Sequence, residues 1–163
     1  MNRIAEFMKV SRARFEADWE FPQPCVYDEL TLPRRATCGS AGYDFYSPLD
    51  FTLAPGEFIK IPTGMRARID EGWVLMIYPR SGQGFKYRVQ LYNTAGVIDS
   101  DYFNAENEGH IFIKIVNANT EGKTLVVRRG EAFAQGIFLP FGITVDDAAE
   151  AKRTGGFGST DKN

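Results

Sequence analysis

The stretch that decides the fold is residues 110–141, HIFIKIVNANTEGKTLVVRRGEAFAQGIFLPF. Its first part alternates, with Ile111, Ile113 and Ile115 on one side, which is typical of a half-buried strand. The part from 123 to 141 supplies two further strands on either side of a turn at Gly130. Short apolar runs separated by turn residues therefore indicate β structure here.

The same pattern continues towards the N-terminus, where glycines and prolines separate more apolar runs. FTLAPGEFIKIP (51–62) predicts a hairpin that turns at Pro55-Gly56. MRARIDEGWVLMIYP (65–79) predicts a second hairpin that turns near Glu71-Gly72. Within it, Trp73 to Tyr78 form an unbroken apolar run, which is typical of a strand buried on both faces.

Several short strands at regular spacing predict an all-β domain over residues 1–152, built as a sandwich, barrel or jelly roll. The one helix of any length is expected from about Ser11 to Trp19, with Ser11 as its N-cap. Residues 153–163, RTGGFGSTDKN, are rich in Gly, Ser and Thr, so we expect a flexible C-terminal arm.

Composition excludes several classes of function. The 163 residues carry a net charge of −2, and 44% of them are hydrophobic, as in an ordinary globular domain. A near-neutral chain lacks the basic face of a non-specific nucleic-acid binder, so we expect no nucleic-acid partner. No apolar run approaches the roughly 20 residues of a membrane span. The N-terminus lacks a signal-peptide pattern, so a cytoplasmic location is expected, with no membrane partner.

Cysteine and histidine are too scarce for the commonest metal sites and triads. Cys25 and Cys38 form no four-ligand zinc set and are expected to be reduced thiols. His110 is the only histidine, which argues against a His-centred triad, and we expect it to be a solvated loop residue. A metal, if used, is expected to be a hard cation that arrives with a phosphate ligand.

Five segments place small residues beside polar ones where a strand should end. Taken singly, each is most simply a turn. They are SAGYDFYS (40–47), PRSGQGFK (79–86), NTAGVIDSDYF (93–103), RRGEAFAQGIF (128–138) and RTGGFGST (153–160).

Two of these segments have the composition of anion sites. In PRSG, Arg80, Ser81 and Gly82 offer a charge, a hydroxyl donor and an unobstructed backbone N–H. RTGGFGST repeats this chemistry through Arg153 and its hydroxyls, and adds the flat ring of Phe157 among glycines. An aromatic ring in such a segment has little core to enter, which favours stacking on a base.

Two polar residues adjoin apolar strands. Asp99 follows Val97-Ile98 and is either an exposed turn residue or a general base that activates water for hydrolysis of a phosphoanhydride. Gln135 interrupts the apolar AFAQGIF, so its amide is expected to be hydrogen-bonded, either structurally or to that water or a phosphate.

Together, in this order and spacing, the five segments resemble the five motifs of the trimeric dUTP pyrophosphatases (dUTPases), over about residues 30–160. The resemblance implies a β jelly roll, a homotrimer with active sites between subunits, and Mg²⁺-dependent hydrolysis of dUTP to dUMP and pyrophosphate. It further implies a role in limiting uracil incorporation into DNA and in supplying dUMP for dTMP synthesis. The C-terminal motif would close over the bound nucleotide.

The resemblance also implies roles in catalysis and base recognition. Asp99 would activate the attacking water, with Gln135 positioning that water and binding phosphate. Tyr102 would lie beneath the deoxyribose, where a 2′-hydroxyl has no room. The uracil edge would be read by main-chain groups of a strand pair lined by Asn93, Gly96 and Ile98.

The remaining implied roles concern phosphates and metal. Arg80, Ser81 and Gly82 would hold phosphates, while Asp44 would act on Mg²⁺ through water and the triphosphate would carry the ion. The arm would bind the terminal phosphates and cover the uracil through Arg153, Phe157, Gly158, Ser159 and Thr160.

The sequence also departs from the family pattern. Arg153 has three residues before Phe157 instead of the commoner four, so either Lys152 or Arg153 reaches the γ-phosphate. FNAENEGH (103–110) lengthens a loop close to the expected site. Residues 1–25 form an N-terminal extension, expected to be either solvated or covering the trimer.

Two alternatives stay open. A dCTP deaminase of the same fold would need a glutamate where Lys114 stands. The other is a catalytically silent nucleotide-binding or assembly protein, against which the joint presence of Asp99, Tyr102, Gln135 and Phe157 argues.

Overall fold

The computed structural model describes residues 2–150 and Gly155. Among them are twelve strands, which confirms the all-β prediction. The strands are β1 (Ala5–Lys9), β2 (Arg34–Arg35), β3 (Tyr43–Tyr46), β4 (Phe51–Leu53), β5 (Phe58–Pro62), β6 (Met65–Ile69), β7 (Trp73–Pro79), β8 (Val89–Leu91), β9 (Gly96–Ile98), β10 (Phe112–Asn117), β11 (Leu125–Val127) and β12 (Ala132–Pro140).

The strands form four small antiparallel sheets around one core. The largest has the order β2-β3-β12-β7-β9, and a three-stranded sheet has the order β5-β10-β8. Two strand pairs, β1-β6 and β11-β4, complete the structure. The long β12 lies between β3 and β7, so it links residues distant in sequence.

Both predicted turns exist, but the two predicted hairpins are wrong. Gly56 and Gly72 adopt left-handed φ angles of 86° and 78°, as tight turns require. However, β4 pairs with β11 and β5 with β10, while β6 pairs with β1 and β7 with β12 and β9. Each turn therefore carries the chain from one sheet to another, where a different strand matches its buried face.

The alternation predicted for residues 111–115 is confirmed, because Ile111, Ile113 and Ile115 are all buried. Strand β7 differs from its prediction: Leu75 and Ile77 are buried, but its other residues are only half-buried. One face of β7 is thus a core face, and the other remains partly open in a single chain.

The predicted N-terminal helix is confirmed in a shorter form, α1 (Arg12–Ala17), and Ser11 caps it by accepting a hydrogen bond from the Arg14 amide at 3.1 Å. Val10 and Phe15 are fully buried in the core. The N-terminal extension is therefore part of the folded body, and the prediction of a solvated segment is wrong.

A second helix, α2 (Ser81–Tyr87), replaces the turn expected in PRSGQGFK. Two 3₁₀ helices cover Tyr27–Glu29 and Ser100–Asn104. No helix in the described part of the chain is long and apolar enough to cross a bilayer.

Candidate active site

Three predicted phosphate and metal residues meet at the end of β7. Gln135 of β12 is the register partner of both Asp44 in β3 and Tyr78 in β7. Arg80 follows β7 directly, and its Nε lies 3.2 Å from Oδ1 of Asp44. Partners directly opposite one another in antiparallel strands share a sheet face. The fold therefore gathers a carboxylate, a guanidinium and a carboxamide on one face.

The Gln135 side chain is fixed by its surroundings. Its Nε2 donates to the Pro79 carbonyl at 3.0 Å. Its Oε1 lies over Gly42, where an added Cβ would approach that oxygen to 2.4 Å. Only glycine at position 42 leaves the carboxamide in this place. The expectation that this amide is hydrogen-bonded is thus confirmed, with a backbone carbonyl as partner.

Helix α2 begins beside this cluster. Arg80 is its N-cap in an extended conformation, followed by the exposed Ser81 and Gly82. The first amides of a helix have no acceptors within the helix, and an added Cβ at Gly82 would meet no atom within 4 Å. This end of α2 is therefore open to an anion next to Arg80.

A cleft of about 250 Å³ lies between β8 and β9. It contains all three predicted base-reading residues, Asn93, Gly96 and Ile98. Its volume falls below the roughly 300 Å³ at which drug-sized sites begin, which suits a flat base better than a whole nucleotide. The two flanking strands pair with β10 and β7, not with each other, so the predicted strand pair is instead a gap between two sheets.

Gly96 brings β9 close to β7. An added Cβ at this position would lie 2.9 Å from Cβ of Ile77, closer than real Cβ atoms pack. On the other side of the cleft stands Lys114, whose Nζ lies 3.5 Å from the ring centre of Tyr92. The position that a deaminase would fill with a carboxylate therefore holds a cation.

Asp99 and Tyr102 lie just beyond the cleft. Asp99 is the N-cap of the 3₁₀ helix Ser100–Asn104, and its carbonyl accepts from the Tyr102 amide at 3.2 Å. Tyr102 is only 4% exposed, and its hydroxyl donates to the His110 carbonyl at 2.7 Å. With its hydroxyl bonded inside, Tyr102 can meet a ligand only as a ring wall.

The two groups of residues lie apart within one chain. Ile98 pairs with Leu75, which puts Asp99 level with Val74, whereas Gln135 is level with Tyr78. Four residues of strand span roughly 13 Å. Moreover, Ile77 lines the cleft, whereas the next residue, Tyr78, is opposite Gln135, so the cleft and the phosphate cluster of Asp44, Arg80 and Gln135 lie on opposite faces of the sheet.

The phosphate cluster offers a hard cation oxygen donors from few side chains. No group of three His, Cys, Asp or Glu that could hold a metal occurs among the described residues. Mg²⁺ retains waters and takes few protein carboxylates when phosphates are present. Asp44, already paired with Arg80 on one oxygen, fits such a water-mediated contact.

The arm residues Lys152, Arg153, Phe157, Gly158, Ser159 and Thr160 lie outside the described residues.

Comparison with known proteins identifies the family. The family model described as dUTPase matches residues 28–161. The chain belongs to the dUTPase family. It is 43% identical over 134 residues to a deoxyuridine 5′-triphosphate nucleotidohydrolase of Lactococcus lactis, covering 80% of this chain and 88% of the relative.

Solved structures agree on the fold of this dUTPase-family chain. A crystal structure of dUTPase from Streptococcus mutans is 32% identical, with a TM-score of 0.63 over 86% of this chain and 98% of that one. A dUTPase from phage phi11 of S. aureus is 20% identical, with a TM-score of 0.63 over 91% and 98%. That phage structure reveals the coordination of a structural Mg(II) ion. The jelly-roll-like prediction is thereby confirmed.

The prediction for His110 is wrong. This side chain is fully buried, and its Nδ1 lies 2.6 Å from Oδ2 of Asp18 in the N-terminal extension. Burial lowers the pKa of His110, although the neighbouring Asp18 carboxylate acts in the opposite direction. If Ile111 points inward, alternation predicts that His110 points outward. In the structure both residues, which directly precede β10, are buried.

Arg66 of β6 is a further residue that the sequence pattern did not reveal. Its Nη2 donates to the Phe103 carbonyl at 2.6 Å, and its guanidinium carbon lies 3.6 Å from the centre of the Phe103 ring. Burial lowers the pKa of Arg66. Arg66 therefore holds Phe103, in the same loop as Asp99, against β6.

Proposed function

We propose that this protein hydrolyses dUTP to dUMP and pyrophosphate in sites that each combine the cleft of one subunit with the phosphate cluster of another. Membership of the dUTPase family carries the activity. The single structural observation behind the shared site is that Asp99, after β9, and Gln135, in β12, lie on opposite edges of β7 and four residues apart along it. A homotrimer joins these halves through closed cyclic symmetry.

In this mechanism the cleft selects the base. Main-chain groups beside Asn93, Gly96 and Ile98 read the edge of uracil, and a cytosine amino group presents a donor where an acceptor is needed. The ring of Tyr102 forms a wall against the sugar. Because its hydroxyl already donates to His110, this wall offers no partner for a 2′-hydroxyl.

Asp99 then takes a proton from the attacking water, and Gln135 orients that water against the phosphate chain. Arg80 and the start of α2 neutralise charge on the phosphates, while Asp44 keeps Arg80 in place. Asp44 would hold Mg²⁺ through water, and the ion, arriving with the triphosphate, would supply further neutralisation. The water oxygen bonds to the α-phosphorus as the bond from that phosphorus to the α,β-bridging oxygen breaks, so that dUMP and pyrophosphate leave.

The C-terminal arm completes the proposal. Arg153, Ser159 and Thr160 bind the terminal phosphates, and Phe157 with Gly158 covers the uracil. Of the two neighbouring cations, Arg153 is proposed at the γ-phosphate instead of Lys152, because its planar fork matches phosphate oxygens. A cytoplasmic location, expected from the sequence, remains part of this proposal, and Cys25 and Cys38 are both free thiols.

The test is pyrophosphate release from dUTP, dCTP, dTTP and UTP, with and without Mg²⁺. We expect Mg²⁺-dependent release from dUTP and little from the others. Asp99→Asn should still bind dUTP yet lose most turnover, whereas Glu106→Gln, the same chemical change at an exposed position of the same loop, should not. Ammonia release from dCTP, or near-normal turnover by Asp99→Asn, would contradict the proposal.

A further inference from the structure

Helix α1 of the N-terminal extension holds the lengthened loop at both of its own ends. At its start, Ser11 donates from its amide and hydroxyl to the two carboxylate oxygens of Glu108, at 2.8 and 2.6 Å. At its end, the C-cap Asp18 meets His110 Nδ1 at 2.6 Å. The two segments that depart from the family pattern are thus bound to each other.

The tautomer of His110 follows from its partners. Its Nε2 accepts a hydrogen bond from the Gly64 amide at 2.8 Å, so this nitrogen carries no proton. The proton therefore sits on Nδ1 and is donated to Asp18. Arg14 also donates to both Asp18 oxygens, at 2.7 and 3.0 Å, which fixes the orientation of that carboxylate.

The backbone of the same histidine holds the tyrosine wall. The His110 carbonyl accepts from the Tyr102 hydroxyl at 2.7 Å, and Asn107 Nδ2 donates to that hydroxyl at 2.8 Å. The chain turns at Gly109 in close contact with Tyr102. An added Cβ at position 109 would lie 2.7 Å from the Tyr102 carbonyl oxygen, so there is no room for a side chain. A shift of residue 110 must therefore shift Tyr102 and the 3₁₀ turn that begins at Asp99.

We propose that Asp18 is a positioning residue, which fixes His110 and through it the Tyr102 wall and the Asp99 turn. The proposal rests on the proposed function for its kinetic consequence. Helix α1 acts as a clamp: Ser11 and Asp18 hold the loop from 99 to 110 at Glu108 and His110. Discrimination against a ribose then depends on Asp18 of the N-terminal extension, which lies far in sequence from the Tyr102 wall that would contact the sugar.

Kinetics of Asp18→Ala and Asp18→Asn test this clamp. We expect kcat for dUTP to fall by about tenfold to a hundredfold in Asp18→Ala, since displacements of about 1 Å have such effects. The ratio of kcat/KM for dUTP over UTP should fall as well. Asp18→Asn should be affected less, because its amide oxygen can still accept from Nδ1–H.

Asp28→Asn is the matched control. Asp28 accepts from Arg12 of helix α1 at 2.6 Å, and its side chain is 82% exposed. Within the described residues, this hydrogen bond and ion pair do not involve the loop from 99 to 110. If Asp18→Ala shows the same kcat and the same dUTP preference as Asp28→Asn, the positioning role is refuted.

Two further measurements do not depend on activity. Because His110 is the only histidine, its ¹⁵N imidazole signals are unambiguous, and Nδ1 should be protonated and Nε2 unprotonated at pH 7. Amide exchange at Tyr102, Ala105 and Ile111 should accelerate in Asp18→Ala and not in Asp28→Asn. Proton placement on Nε2, or unchanged exchange, overturns the clamp. Absence of dUTP turnover in the unaltered protein, with these two results as expected, refutes only the proposed function.

Discussion

Complementation between two inactive variants gives the sharpest test of a shared site. Asp99→Asn removes the proposed base from the half beside the cleft, and Gln135→Ala disables the half at the phosphate cluster. Each variant alone should lose most dUTP turnover. Neither change lies at a fully buried position, so both proteins should fold and assemble.

The expected yield follows from the geometry. Asp99 and Gln135 lie about 13 Å apart along β7, and in the proposed trimer one substrate would take them from different subunits. In randomly mixed trimers with equal amounts of both variants, a site receives an intact residue from each side with a chance of one half. About a quarter of the sites are then complete, so about a quarter of the normal turnover should return.

The assay is pyrophosphate release after co-expression of the two variants in equal amounts, with all assemblies, mixed and unmixed, measured together. The matched control mixes the unaltered chain with the double variant Asp99→Asn, Gln135→Ala. Shared sites give about a quarter of normal turnover in both mixtures. Sites contained in one chain give none in the first mixture and about half in the second, which would refute the reasoning.

Three other outcomes are expected. Phe15→Ala should lower the unfolding free energy by about 3–5 kcal/mol at fixed protomer concentration, because Phe15 is fully buried. Phe85→Ala, at a ring that is 97% exposed, should change it by less than about 0.5 kcal/mol, and equal values in urea titrations would contradict the core assignment. The free energy of unfolding should fall as pH drops below about 6.5, by at most about 1.4 kcal/mol per pH unit, because burial lowers the pKa of His110 and only the unfolded chain then takes up the proton. The same slope between pH 5 and 6.5 in a His110→Asn variant would argue against this. Gly42→Ala should displace the Gln135 carboxamide and reduce turnover with little loss of stability, since the atom in conflict ends a flexible side chain; unchanged kcat would show that this placement is unimportant.

The strands and turns were predictable because they depend on local pattern. Residues 111–115 alternate, and the turns at Gly56 and Gly72 need a conformation that glycine favours. The pairing was not predictable from the same pattern. Leu53 finds Leu125 as its register partner, 72 residues away, and neighbouring strands in sequence differ in the sheet they join.

For the site, the sequence motifs predicted a set of polar residues but not how the chain divides them between the cleft and the cluster of Asp44, Arg80 and Gln135. Asp44, Arg80 and Gln135, to which the resemblance gave metal, phosphate and catalytic roles, do meet. The separation of Asp99 from them depends on the course of β7. His110 escaped prediction because its partner Asp18 lies 92 positions away and lone histidines are usually solvated.

The boundary of the family match has a practical consequence for the N-terminal segment. The match begins at residue 28, yet β6 pairs with β1, which lies wholly before that point. A chain trimmed to residues 28–161 would leave five positions of β6 as an open edge, and open edges recruit other chains. The folded domain thus includes a strand that lies outside the family match, and we expect a chain trimmed to that match to aggregate.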